Sequence, residues 1–219
     1  MLLFVPSLLL SLLAWVFDGD PHVFDRIGAP LLAVFPFVTM FLVTSVVTLR
    51  ERTSGTLERL LAMPMAKLDL LVGYAIAFSI VALVQVGLAA GLALGPLGLD
   101  VPGSVALVVV VAMLDAVLGV ALGLFVSAFA STEFQAVQFM PAIVLPQFLL
   151  CGLLAPRDEM ATPLSWLSNA LPLSYAVDAM NRLSTTADVT RAVIADLVIV
   201  AGCSLVALLV GAATLRRRT

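Results

Sequence analysis

The sequence predicts an all-α integral membrane protein with six transmembrane helices, a cytoplasmic amphipathic helix, and short re-entrant or interfacial helices after the fifth span. Three observations carry that prediction. Hydrophobic residues make up 62% of the 219, and the mean hydropathy is +1.17. Only 11% of residues are charged, too few to cover the surface of a soluble domain of this length. Apolar runs of about 18 residues or more recur, each long enough to cross a bilayer as a helix.

The elements follow in order. "MLLFVPSLLLSLLAWVF" is the first span, about 1–17. It has no positive n-region, and no small-x-small site precedes "DGD", so it reads as a retained span and not as a cleaved signal peptide. At a rise of ~1.5 Å per residue it reaches ~25 Å, short of a ~30 Å hydrocarbon core, which leads us to expect further residues upstream of Met1. The break "DGDPHVFDRIG" leads to a second span, 29–49.

Next comes "RERTSGTLERLLAMPMAKLD", residues 50–69, with seven charges in twenty positions. Thr53 or Ser54 can cap a helix whose first turn includes Gly55 and Thr56. Leu57, Leu60 and Leu61 then share one apolar face, while Glu58 and Arg59 point elsewhere. Met63 precedes Pro64, and the residue before a proline is pushed out of helical geometry, so the helix stops there. Pro64 can open the next helix, which leads through Leu68 into the third span, 70–94. Two uses fit such a helix: resting on lipid headgroups, or filling a groove on a soluble partner. Four basic and three acidic residues disfavour an anionic-lipid anchor, which would be mostly basic.

In the third span Gly87, Gly91 and Gly95 form a small-residue stripe that predicts a helix contact. "GPLGLDVPG" leads to the fourth span, 103–130, with Asp115 near its middle. A carboxylate there is costly and turns away from lipid. Gly119, Gly123 and Ser127 lie on the same face, so Asp115 is expected to point into a close helix–helix contact. It is either a protonated or hydrogen-bonded structural acid, or a site for a cationic substrate or a proton.

"STEFQ" separates the fifth span, 136–155, from the fourth. In the tract that follows, Leu164, Leu167 and Leu171 share a face, with Trp166 nearby. Pro172 can open a second helix on which Leu173, Val177 and Met180 share a side, and Asp178 and Arg182 are spaced for an i, i+4 pair. These helices are too short and polar to span, and suit the outer leaflet with Trp166 and Tyr175 at headgroup level. The sixth span, 192–214, ends at "RRRT".

Counting Lys and Arg near the spans sets the orientation. With both termini in the cytoplasm, seven basic residues lie inside (Arg50, Arg52, Arg59, Lys67, Arg216, Arg217, Arg218) and four outside (Arg26, Arg157, Arg182, Arg191). Other functions lack residues to perform them. No basic stripe with interleaved aromatics offers nucleic acid a surface. His22 is the sole histidine, with no cysteine or second histidine beside it, so no metal site is expected; Cys151 and Cys203 have no paired spacing. No G-x-x-x-x-G-K-[ST] loop occurs and the sole lysine is Lys67, so ATP chemistry is expected on another subunit. No nucleophile–base motif such as G-x-S-x-G is present, and no catalytic residue is assigned. Ten arginines to one lysine, with heavy use of Ala, Val and Leu, associate with GC-rich bacterial genomes.

"ERTSGTLERLLAMP", a short polar linker and the span beginning near "GYAIAF" resemble the cytoplasmic signature of type-two ABC exporter permeases. "SAFASTEFQAVQFMPAIVLPQFLLCGLLAPRDEM", followed by "LPLSYAVDAMNR", is similar to that family's stretch from span four into the loop after span five. The two together cover most of residues 50–182 and look most like the drug and antibiotic exporter subgroup. The resemblance implies that the loop after span two is a coupling helix docking on a separate ATPase through Glu51, Gly55, Thr56, Leu57, Glu58, Leu60, Leu61 and Pro64. It implies that Pro172, Tyr175, Asp178 and Arg182 belong to an outer gate. Asn181 stands where the family tends to carry an arginine, and Arg182 follows it.

The expectation is therefore a permease in the bacterial plasma membrane, one domain over residues 1–219, paired with a second copy or a paralogous chain. Two ATPase subunits would bind ATP and magnesium, and an amphipathic drug, antibiotic or lipid-like substrate would leave the cell. The rival is a non-transporting membrane scaffold whose amphipathic loop recruits a soluble partner. A secondary transporter fits less well, because no internal repeat is evident.

Overall fold

A computed structural model describes residues 2–54, 67–188 and 190–217, and among these there is no strand. A 3-10 turn, Leu2–Phe4, opens α1, Val5–Val16; then come α2, Pro21–Thr53, and α3, Lys67–Leu94. They are followed by α4, Val105–Ser127; α5, Glu133–Leu150; a 3-10 turn, Arg157–Glu159; α6, Thr162–Ala170; α7, Pro172–Thr185; and α8, Arg191–Arg217.

α2 is the spine. Its 33 residues reach ~50 Å at ~1.5 Å per residue, well beyond a ~30 Å hydrocarbon core. The expected span 29–49 is its apolar middle; the helix continues through the polar flanks because nothing in "DRIG" or "RERT" breaks it. α4 lies directly against it. A Cβ added at Gly119 would stand 2.4 Å from the Phe37 carbonyl oxygen, and one at Gly123 would stand 2.7 Å from that of Phe41. Glycine at both positions lets two backbones touch, as the stripe below Asp115 predicts.

α3 corrects its own prediction. It packs through Ala82, Gln85, Val86, Ala89, Ala90 and Ala93, whereas Gly87 and Gly91 face open space. The buried row is the alanine one, one face over. At this contact the Thr39 hydroxyl donates to Gln85 Oε1 (3.0 Å), and Gln85 Nε2 donates to the Leu2 carbonyl (2.9 Å), pinning the N-terminal turn to the bundle.

Phe37, Phe41, Leu32 and Met40 of α2, Leu118 of α4, and Leu173, Met180 and Leu183 of α7 form the centre of the core. The shared side of α7 was legible in its period; its depth was not. Leu173, Val177 and Met180 are fully buried, so α7 is wedged into the bundle. The Gly103 amide donates to the Leu183 carbonyl (3.0 Å) and ties the turn before α4 to it.

Four helical stretches are long and apolar enough to cross a bilayer among the described residues: His22–Glu51, Val72–Leu94, Val105–Ser127 and Arg191–Gly211. The expected count of six also included 1–17 and 136–155. The first falls on a shorter apolar helix, Leu2–Val16. The second falls on α5, which is diluted by Glu133, Gln135, Gln138 and Gln147, holds Pro141 and Pro146, and stops at Leu150 instead of residue 155.

Candidate functional site

The expected site residues fall at the two ends of the bundle, with Asp115 between them. At one end α2 and α3 bound the charged loop. Gly55, Thr56, Leu57, Glu58, Leu60, Leu61 and Pro64 lie outside the described residues. Glu51 lies within them, at the end of α2 and near Tyr74 of α3. Its Oε2 is buried. One residue earlier, Arg50 forks onto the Glu133 carboxylate, with Nε 3.0 Å from Oε1 and the second nitrogen 3.3 Å from Oε2. Glu133 is the first residue of α5, where a negative charge also suits the helix dipole, and the Thr132 hydroxyl caps the same turn by accepting from the Gln135 amide at 3.1 Å. Leu49, Ala130 and Ala136, with Val46 and Phe139 against them, form a small apolar cluster separate from the main core.

At the far end α5 runs out. Gly152, two residues past Leu150, has φ +93°, a conformation that glycine adopts without strain. The Leu150 carbonyl, orphaned by the end of the helix, accepts the Ser168 hydroxyl at 2.7 Å, and Ser168 Oγ lies 3.2 Å from Ser174 Oγ. Pro172 opens α7, and the N-cap residue Leu171 supplies no side-chain bond. Gln147 of α5 supplies one: its Oε1 accepts the Leu173 amide at 3.4 Å. The ends of α5, α6 and α7 are thus sewn together by buried polar side chains.

Arg157 organises the rest of this end. Its guanidinium donates to the Asp178 carboxylate and to the Asn169 side-chain oxygen, and sits 5.2 Å from the centre of the Tyr175 ring. The Tyr175 hydroxyl donates to the Asn169 carbonyl at 2.7 Å. This corrects the expected Asp178–Arg182 pair. One guanidinium nitrogen of Arg157 takes the Asp178 carboxylate while another takes Asn169, and Arg182 reaches Asp196 of α8 at 3.8 Å. Burial raises the Asp178 carboxyl above its ordinary range, against the opposing pull of the Arg157 and Arg182 charges. A cavity of about 950 Å³ opens between this assembly and the start of α2, with His22, Asp25, Arg26, Asp158 and Asn181 among its walls. On the other side of α6, Leu164, Trp166 and Leu167 are exposed.

Asp115 is fully buried, and neither carboxylate oxygen has a hydrogen-bond partner among the described residues. It lies above Gly119 on the face that meets α2.

Of the expected far-end residues, the fold brings Tyr175 and Asp178 together around Arg157 and sets Pro172 one turn away. Sequence reading missed Arg157, Gln147 and Ser168. Gln147 did carry a signal, since a glutamine inside an apolar run must find a partner when water is absent.

The profile of the ABC-2 type transporter family matches residues 1–183. The chain belongs to that family. This ABC-2 chain is 26% identical over 164 residues to "ABC transporter G family member 20" of Dictyostelium discoideum, covering 74% of the chain and 22% of that protein. It is 29% identical over 153 residues to "Probable multidrug ABC transporter permease YbhR" of Escherichia coli (strain K12), covering 70% of the chain and 42% of that protein. A third relative, "Inner membrane transport permease YhhJ" of the same strain, is 27% identical over 150 residues, 67% of the chain and 40% of its own length. The chain therefore spans under half the length of these relatives. With its apolar helices, the ABC-2 chain is a multi-pass, all-helical membrane protein of a permease family.

Proposed function

We propose that the chain is the membrane-spanning part of an ATP-driven exporter that moves an amphipathic drug, antibiotic or lipid-like molecule out of a bacterial cell. The family match over residues 1–183 carries this reading. The geometry supports it in three ways. The end of α2 and the start of α3, which bound the charged loop 50–69, lie at one end of the bundle, where Arg50 and Glu133 clasp α2 to α5. The polar cavity stands at the other end, where a substrate would leave. The sequence offers no phosphate-cradling loop, so ATP and magnesium would be bound by partner subunits, two for a permease pair.

In this reading the loop faces the cytoplasm, as do both termini. Glu51, Gly55, Thr56, Leu57, Glu58, Leu60, Leu61 and Pro64 meet the ATPase. Pro172, Tyr175, Asp178 and Arg182 belong to an outer gate organised by Arg157. We read Asp115 as part of the α2–α4 contact and not of the substrate path, because its face is closed by the backbone of α2. A second copy or a paralogous chain completes the pathway.

The test is ATP-driven uptake into inverted membrane vesicles, using doxorubicin, ethidium and a fluorescent phosphatidylethanolamine as probes. The reading predicts nucleotide-dependent accumulation of at least one probe, lost when the ATPase subunit is deleted. Accumulation that persists without the ATPase contradicts it, and no uptake of any probe favours the scaffold.

A further inference from the structure

The loop end and the far end are about a membrane's thickness apart, and one helix is fastened to both. α5 begins at Glu133, clasped by Arg50 in the last turn of α2, and ends at Gln147 and Leu150, whose polar atoms hold Leu173 of α7 and Ser168 of α6. Between these points its hold on the bundle is one-sided. Phe134, Val137, Leu145 and Leu149 are exposed, while Ala136, Val144 and Gln147 are buried. Its inner end rests on the small cluster around Leu49, and Phe139 reaches the main core as well. Pro141 and Pro146 each remove a main-chain donor from its ladder and favour bending between the fastened ends.

The clasp is poorly suited to holding the fold together. The Arg50 and Glu133 side chains are 70% and 49% exposed, and exposed ion pairs contribute little to stability. Its geometry is nonetheless specific, a two-pronged fork from the last turn of α2 to the first residue of α5. A contact that adds little stability but joins the base of the loop to the foot of a long helix is well placed to set that helix's position.

We propose that α5 is the rod that carries displacement of the 50–69 loop to the far-end gate, and that Arg50 and Glu133 are its positioning pair. The inference rests on the coupling role proposed for the loop. When the loop is driven, α2 moves at Arg50, the clasp carries Glu133 with it, and the prolines let α5 pivot on the Leu49 cluster. Gln147 and Leu150 then shift the α6–α7 pair that Arg157 holds as one body. No covalent step is involved.

The experiment uses the chain with its ATPase in native membranes, and Asn181→Cys as a reporter on the cavity wall. The reagent is a membrane-impermeant maleimide, with labelling rates compared before and after trapping with ATP and vanadate. Parent protein retaining Cys151 and Cys203 gives the background. A photoreactive amino acid at Leu60 reports docking of the ATPase independently. Nucleotide is expected to change the Asn181→Cys labelling rate at least fivefold in the parent, under twofold in E133R and R50E, and at least threefold in the R50E/E133R swap. E133Q is expected to fall between parent and E133R, with an unchanged thermal profile in all four. A full nucleotide response in E133R overturns the inference, as does a swap no better than the single variants, provided the Leu60 adduct persists. Loss of the Leu60 adduct in the parent itself overturns the docking reading, and this inference with it.

Discussion

The two ends of the bundle are held by different chemistry. At the far end, Arg157, Asn169, Tyr175 and Asp178 share one network, Ser168 joins Ser174 and the Leu150 carbonyl, and Gln147 accepts the Leu173 amide. At the loop end, α2 and α5 meet through an exposed ion pair and a small apolar cluster of their own. A partly desolvated network loses much when one member is removed, because its partners keep their charge or dipole without compensation. An exposed pair loses little, because water replaces it. In the proposed coupling the far end is therefore the unit that moves whole, and the loop end the joint that shifts at low cost.

Removal of Arg157 should break that contrast most. Arg157→Met leaves Asp178 without its cation, and we expect a loss of about 2 kcal/mol, less than the ~3–5 of a fully buried pair because both groups keep some contact with water. The thermal midpoint in detergent reads it, and an unchanged midpoint would mean that the network does not hold the far end. Gln147→Leu comes next. It fills the same space but leaves the Leu173 amide uncapped, with an expected loss of about 1 kcal/mol by the same measurement. Arg50→Ala should leave the midpoint unchanged within error, despite deleting two hydrogen bonds, which is the behaviour of a joint. A midpoint lowered as far as in Arg157→Met would erase the distinction between the ends. The smallest effect belongs to neither end. Asp115→Asn keeps the shape of the α2–α4 contact, and vesicle uptake should stay within twofold; a tenfold loss would move Asp115 into the transport path.

Patterns that repeat along one helix were legible in the sequence. The stripe of Gly119 and Gly123 meets α2, and Leu173, Val177 and Met180 are buried as their spacing implies. Features made between distant segments were not. Arg157 is 12 residues from Asn169 and 21 from Asp178, and no local period marks those partners. The i, i+4 spacing of Asp178 and Arg182 was real but lost to a better-placed guanidinium. In α3 two rows, one of glycine and one of alanine, were equally able to pack, and the choice fell to tertiary contact. Helix ends escaped for a related reason: hydropathy marks the part of α2 that suits lipid, while the hydrogen-bond ladder continues into polar flanks. The loop end was the reverse case, a segment whose charge made it conspicuous while the contacts proposed for it lie with another molecule.

That segment offers the most direct test. A photoreactive amino acid placed at Leu60 and irradiated in the native host membrane should give an adduct with an ABC-type ATPase. The account predicts that adduct, which would establish the loop as the point where the permease takes up force. Labelling of lipid alone would contradict it, leaving the loop as an interfacial anchor and the two ends of the bundle without a drive between them.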